Sequence, residues 1–199
     1  MPRAFSETER EAVRQRLKTA ARASLAERGF RRTSVAELAR EGGISKGAFY
    51  GFFDSKEELV FEVLEEAEAE VRTELERRMV EAEPRERVRR FVAFLFEILE
   101  RHPVLRLLSD PDETAVLFRS MPPEELAARM SDDDRYFGDM FRRWREEGWL
   151  ADVSPGVLAG LPRLALAVAQ QRELIGDERY RPLTELVAEA LADRLTREA

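Results

Sequence analysis

Few residues in this chain can do chemistry. It contains no cysteine and one histidine, His102. That removes thiol nucleophiles, thiolate zinc sites, disulfide scaffolds and most imidazole-based triads. No nucleophile stands beside a base, no metal-ligand spacing recurs and there is no glycine-rich phosphate loop, so neither catalysis nor a cofactor nor a metal is expected. The acidic runs at 110–113 and 132–134 lack the spacing and turn glycine of a calcium loop and read as solvated turns. His102 reads as a helix-end histidine at a C-terminal dipole. What remains is Ser45-Lys46-Gly47-Ala48 with Tyr50, where small and polar side chains surround one ammonium and one phenol. Such a surface can enter a groove about 12 Å wide without steric conflict.

Charge supports the same direction. Residues 1–56 carry 12 basic against 7 acidic side chains, whereas residues 57–199 carry 21 against 33, for a net charge of -7. A basic head can approach a polyanion that repels an acidic body, so double-stranded nucleic acid should be met by the first quarter of the chain. The longest nearly apolar run, residues 157–169, contains Pro162 and Arg163 and falls short of the roughly 18 residues a membrane span requires. The opening residues lack the apolar stretch of a secretory signal, so a cytoplasmic protein without membrane contact is expected.

The elements that must position this surface are helices. Apolar residues recur at intervals of 3, 4 and 7, which predicts an all-α fold of about nine helices. Ser6-Glu-Thr-Glu9 forms a capping box for a first helix with Val13, Leu17, Ala20, Ala21, Ser24 and Leu25 inward and Gly29 as its stop. A second box, Ser34 to Glu37, opens a short helix ended by Gly42-Gly43, and Ser45 caps a third reaching about Gly51. A third box, Ser55 to Glu58, opens a long helix towards Pro84, with Leu59, Val60, Val63, Leu64, Ala67, Val71, Leu75 and Met79 inward. Residues 85–101 are apolar around much of their girth, as in a helix flanked on several sides. Pro122-Pro123 starts a further helix, one helix is expected over 155–175, and Pro182 should begin the last. The expected division is a small helical domain at 1–54 and a larger helical domain at 55–199, which the family resemblance given below would make the DNA-binding domain and the effector-binding and dimerisation domain.

Residues 33–56 then acquire a meaning. Two short helices joined by a glycine-containing turn make a helix-turn-helix, with Ala39 small where they cross, Gly43 in the turn, and Ile44, Phe49 and Phe52 as core of the second. With Gly29-Phe30, Thr33-Ser34, Leu38-Ala39, Gly43-Ile44-Ser45-Lys46-Gly47, Phe49-Tyr50, Phe53 and Ser55-Lys56-Glu57-Glu58-Leu59, the first 60 or so residues resemble the TetR family of bacterial transcription regulators. The resemblance implies that the third helix reads the major groove, that the last two helices form a dimer, and that a small effector in the C-terminal body releases DNA. The sequence departs from the family at Gly51, where relatives often carry a larger polar residue, which predicts fewer base contacts or early fraying of the third helix.

The DNA-contacting set is therefore Thr33, Ser34, Ser45, Lys46, Gly47, Ala48, Tyr50 and Lys56. Its hydroxyls are read both as caps and as phosphate contacts, and Arg3 is a candidate for the minor groove. An apolar effector pocket is expected among Phe91, Phe94, Arg106, Phe118, Arg119, Phe137, Phe141 and Trp144, with core packing as the alternative for most of them. Leu158, Leu161, Leu164, Ala165, Val168, Leu183, Leu186, Val187, Ala190 and Leu191 are the expected homodimer interface. These readings converge on an effector-released repressor of a near-palindromic operator; the alternative is a helical small-molecule carrier without strong DNA specificity.

Overall fold

The computed structural model describes residues 6–80 and 82–196. Among them are eleven α-helical segments, one 3-10 turn and no strand. In order these are α1 (Glu7–Arg28), α2 (Val35–Glu41), α3 (Lys46–Phe49), α4 (Lys56–Met79), α5 (Pro84–Arg101), a 3-10 turn (Leu105–Ser109), α6 (Pro111–Arg119), α7 (Pro123–Glu146), α8 (Pro155–Leu158), α9 (Leu161–Gln170), α10 (Arg172–Ile175) and α11 (Asp177–Leu195). The chain forms two compact units, residues 1–70 with 102–120 and residues 71–101 with 121–199.

In the first unit, Ser6 Oγ accepts the Glu9 N–H (3.3 Å) while the Glu9 carboxylate accepts the Ser6 N–H (2.8 Å), so α1 begins on a complete capping box. Its buried residues are Val13, Leu17, Ala20, Ala21, Ser24 and Leu25, the stripe a 3.6-residue period requires. The turn after α2 depends on two glycines for different reasons. Gly43 has φ 74°, a left-handed conformation that side chains disfavour. Gly42 sits against α1, where an added Cβ would lie 2.6 Å from Leu17 Cδ2.

A ladder of charges joins α1 to α4. Arg14 pairs with Glu62, Lys18 with Glu62 (2.8 Å) and Glu66 (2.9 Å), and Arg22 with Glu66 (3.0 Å) and Glu70 (2.9 Å). Each helix supplies its rungs four residues apart, so one basic and one acidic stripe run in the same direction. His102 lies just beyond α5, and its Nδ1 accepts the N–H groups of Val104 (3.3 Å) and Leu105 (3.2 Å). Asp110, expected in a solvated turn, caps α6 by accepting the N–H groups of Asp112 (2.9 Å) and Glu113 (3.1 Å).

The second unit packs differently. On α5, Val88, Phe91, Val92, Phe94, Leu95, Phe96, Ile98 and Leu99 are all buried. Phe91 meets Phe141 and Trp144 of α7 edge to face, with ring centroids 5.1 and 5.9 Å apart. Helix α11 lies on α5 through a face of Tyr180, Thr184, Ala188 and Ala192.

Three expectations for this unit are corrected. The single helix expected over 155–175 is three pieces, because Pro162 has no N–H to donate to the Leu158 carbonyl and the chain restarts at α9. The last helix begins at Asp177, and Pro182 lies inside it, exposed in its second turn where the missing bond is tolerated. Residues 132–134 are helical in α7, and each carboxylate pairs with an arginine: Asp132 with Arg135 (3.0 Å), Asp133 with Arg72 (2.7 Å) and Asp134 with Arg163 (2.9 Å).

Candidate nucleic-acid interface

The helix-turn-helix is built from its interior outward. Leu38, Ala39, Phe49, Phe52 and Phe53 are buried, and Ile44 N–H donates to the Ala39 carbonyl across the turn (2.9 Å). Helix α3 has four residues and cannot stand on its own hydrogen bonds, so its ends are secured by other groups. At its start Ser45 Oγ accepts the Ala48 N–H at 3.1 Å. The outward side carries Ser45, Lys46 and Gly47, all exposed, with Ala48 half-buried. Tyr50 is 51% exposed, its ring set edge-on to Phe49 at 5.5 Å.

Ser34 caps α2 from an exposed position, accepting the Glu37 N–H (3.3 Å) and donating its hydroxyl to the Glu37 carboxylate (2.8 Å). That hydroxyl and then Arg28 hold the Glu37 carboxyl below the usual carboxylate range. Two residues of the expected set are engaged by backbone carbonyls. Thr33 is buried, its Oγ1 bonded to the Gly29 carbonyl (2.7 Å) and to Ser24 Oγ (2.8 Å). Lys56 donates to the carbonyls of Phe30 (3.0 Å) and Thr33 (3.1 Å), with its ammonium 3.9 Å from the centre of the Phe30 ring. Arg3 lies outside the described residues. An open cleft of about 420 Å³ is lined by Ser34, Tyr50 and Ser55 among others, beside the starts of α2 and α4.

Sequence reasoning missed three arginines of α1. Arg16 Nε donates to the Gly42 carbonyl (3.0 Å), Arg10 to the Gly51 carbonyl (2.8 Å) and Arg14 to the Phe52 carbonyl (2.6 Å). The available signal was their spacing beside the buried stripe of α1, next to an element too short to satisfy its own carbonyls.

Residues 17–63 match the family model of bacterial regulatory proteins of the tetR family. Over residues 17–63 the chain is similar to the TetR family of bacterial regulatory proteins. Among solved structures, a TetR-family transcriptional regulator from Pectobacterium atrosepticum has a TM-score of 0.75 and 21% identity, over 98% of this chain and 100% of that one. SmeT, the repressor of a Stenotrophomonas maltophilia multidrug efflux pump, has a TM-score of 0.65 and 23% identity, over 94% and 91%. The ketosteroid transcriptional regulator KstR2 of Mycobacterium tuberculosis has a TM-score of 0.57 and 25% identity, over 93% and 95%. No curated protein matches the chain.

The residues expected to line an effector pocket divide between the two units. Phe91, Phe94, Phe137, Phe141 and Trp144 belong to the second unit, and Arg106, Phe118 and Arg119 to the first. Phe91, Phe137, Phe141 and Trp144 form one edge-to-face cluster, while Arg106 is exposed and donates to the Ala26 carbonyl at 2.6 Å. Beside that cluster lies a cleft of about 220 Å³, lined by Leu75, Met79, Val80, Tyr136, Met140 and Trp144 with charged neighbours. Burial pushes the Tyr136 phenol up to about 12, and its hydroxyl donates to Glu76 at 3.3 Å.

The residues expected at a dimer interface also divide. Leu164 (53%), Leu183 (46%) and Leu186 (64%) are exposed, as are Val187 and Ala190. Leu161, Val168 and Leu191 are half-buried, whereas Leu158 and Ala165 are buried in their own protomer. Among the described residues no group of three His, Asp or Glu side chains could hold a metal ion, and no described helix is long and apolar enough to cross a membrane.

Proposed function

We propose that the protein is a cytoplasmic, homodimeric repressor that binds a near-palindromic operator and is released by a small, largely apolar effector. The observation that carries the reading is the division of α3. Phe49 is buried, while Ser45, Lys46, Gly47 and Tyr50 face solvent as a slim, lightly cationic surface. Lys46 meets a phosphate, Tyr50 a phosphate or a thymine methyl, and Ser34 a phosphate at the start of α2. Residues 1–54 engage DNA, and residues 55–199 bind effector and partner. The buried hydroxyl of Thr33 and the carbonyl-bound ammonium of Lys56 hold the frame and do not reach for DNA.

Pairing is supported by the bulky apolar side chains on α9 and α11, an exposed stripe that a second copy would cover. Two-fold pairing would place the recognition helices about 34 to 36 Å apart, one turn of the duplex. The repressor direction is supported by SmeT, a repressor of like fold. The effector is assigned to the cleft beside Trp144, whose size suits a ligand smaller than a typical drug.

Selection of duplexes from a randomised pool tests this. A near-palindromic site should emerge, and Lys46→Ala should weaken binding to all sequences and flatten the salt slope by about one unit. Absence of any preferred duplex at every ionic strength would overturn the reading. Leu183→Glu with Leu186→Glu, both on the exposed face of α11, should yield a folded monomer by light scattering, and a dimer in that variant would refute the interface.

A further inference from the structure

We propose that Arg10, Arg14 and Arg16 are positioning residues for α3, fixing its pitch by gripping backbone carbonyls on both sides of it; this rests on the DNA-binding role of α3 proposed above. A four-residue helix leaves its last carbonyls without intrahelical partners, and each unpaired carbonyl carries a desolvation cost. The chain folds these carbonyls into two sets. Ala48 O accepts the Gly51 N–H (3.0 Å), and Phe49 O accepts the N–H groups of Phe52 (2.9 Å) and Phe53 (3.1 Å). Just beyond the end of α3, the carbonyls of Gly51 and Phe52 accept from Arg10 and Arg14, which stand one turn apart on α1.

Each guanidinium is also fixed by a ring from the same segment. Arg10 lies 4.9 Å from the centre of the Phe52 ring and Arg14 4.3 Å from that of Phe53. Glu62 of α4 holds Arg14 from the other side. At the opposite end, Arg16 takes the carbonyl of Gly42 in the turn that leads into α3. One rigid 22-residue helix thereby holds a four-residue helix by both ends. A planar guanidinium suits this task because it can donate to a carbonyl while its face rests on an aromatic ring.

A direct phosphate contact and a positioning role predict different behaviour. The test compares the full wild-type chain with Arg10→Met, Arg16→Met and Arg10→Lys, leaving Arg14 and its ion pair intact. Amide hydrogen exchange is read at residues 46–53. Affinity is read over a salt series for one duplex selected by the wild-type chain and one random duplex of equal length.

For both Met variants, exchange at 46–53 should rise about tenfold and the selected-to-random affinity ratio should fall about tenfold, the loss of one hydrogen bond from a charged donor. The salt slope should stay as in the wild type, and Arg10→Lys should recover part of the ratio because its ammonium can still donate to Gly51. Unchanged exchange would overturn the proposal. So would an equal loss on both duplexes with a slope lower by about one unit, which marks a guanidinium on a phosphate. If the wild-type chain selects no duplex, the functional reading fails, and the exchange measurement alone decides whether the arginines hold α3.

Discussion

The two units of the molecule are held together by different chemistry. In the first, cations bind backbone carbonyls and carboxylates: Arg10, Arg14, Arg16 and Lys56 on carbonyls, and Lys18 and Arg22 on the glutamates of α4. In the second, Phe91, Phe141 and Trp144 interlock, and α11 lies on α5 through small residues. For α2 and α3 the difference follows from element length. Helices of seven and four residues have little apolar area to bury and many unpaired carbonyls, so directional bonds must orient them. Helices of 18 to 24 residues satisfy most of their own backbones and bury more apolar area, with ion pairs such as Arg85 to Glu189 (2.7 Å) and Asp193 (2.6 Å) added between α5 and α11.

The comparison can be tested by removing each kind of support in turn. Phe91→Ala should have the largest effect, about 3–5 kcal/mol of lost stability in urea denaturation, because a fully buried ring with three aromatic neighbours leaves a cavity. A loss below about 1 kcal/mol would show that the second unit repacks freely. Gly42→Ala should cost about 1–3 kcal/mol, since the new methyl would lie 2.6 Å from Leu17 Cδ2 and 3.2 Å from the Leu38 carbonyl oxygen. Thermal melts in which it matches the wild type would show the first unit to be more pliant than described.

Lys18→Met should cost about 1 kcal/mol or less, as expected for one rung of a partly solvated ladder, and 1 M salt should shrink the difference further. Acidification is the mildest intervention. Burial works against ionisation of Glu62 and Glu66, but hydrogen bonds from Lys18, Arg14 and Arg22 outweigh it and hold both carboxyls below the usual range. In the second unit, Arg89 and then Arg90 draw Glu86 down to about 2. Carboxyls lowered in the folded state contribute fully above their unfolded value of about 4.5 and lose that contribution as pH falls towards the folded value. The melting temperature should therefore decline from pH 5 to pH 3. A flat profile would mean the ladder adds no net stability.

The sequence was most legible where the signal is local. The inward stripe of α1 and the buried girth of α5 follow from periodicity residue by residue, and the capping residues Ser6, Ser34, Ser45 and Ser55 stand where their spacing placed them. The outward face of α3 was legible because Phe49 and Tyr50 are adjacent residues with opposite fates, one buried and one exposed. Legibility failed where a distant partner decides. Thr33 and Lys56 look like free donors until the carbonyls of 29, 30 and 33 come to meet them. Residues 132–134 look solvated until arginines from 72 and 163 arrive. Pro162 and Pro182 carry the same local signal, yet one breaks a helix and the other sits within one.

Along its middle, helix α11 turns Thr184, Ala188 and Ala192 inward and Leu183 and Leu186 outward. A single added carbon on the narrow side would wedge the two rods apart, whereas the opposite side can accept many shapes at no internal cost. Freedom to vary is thus split lengthwise along one element. The terminal rod can acquire new companions by drift on its outer rim while its seat in the protomer stays fixed.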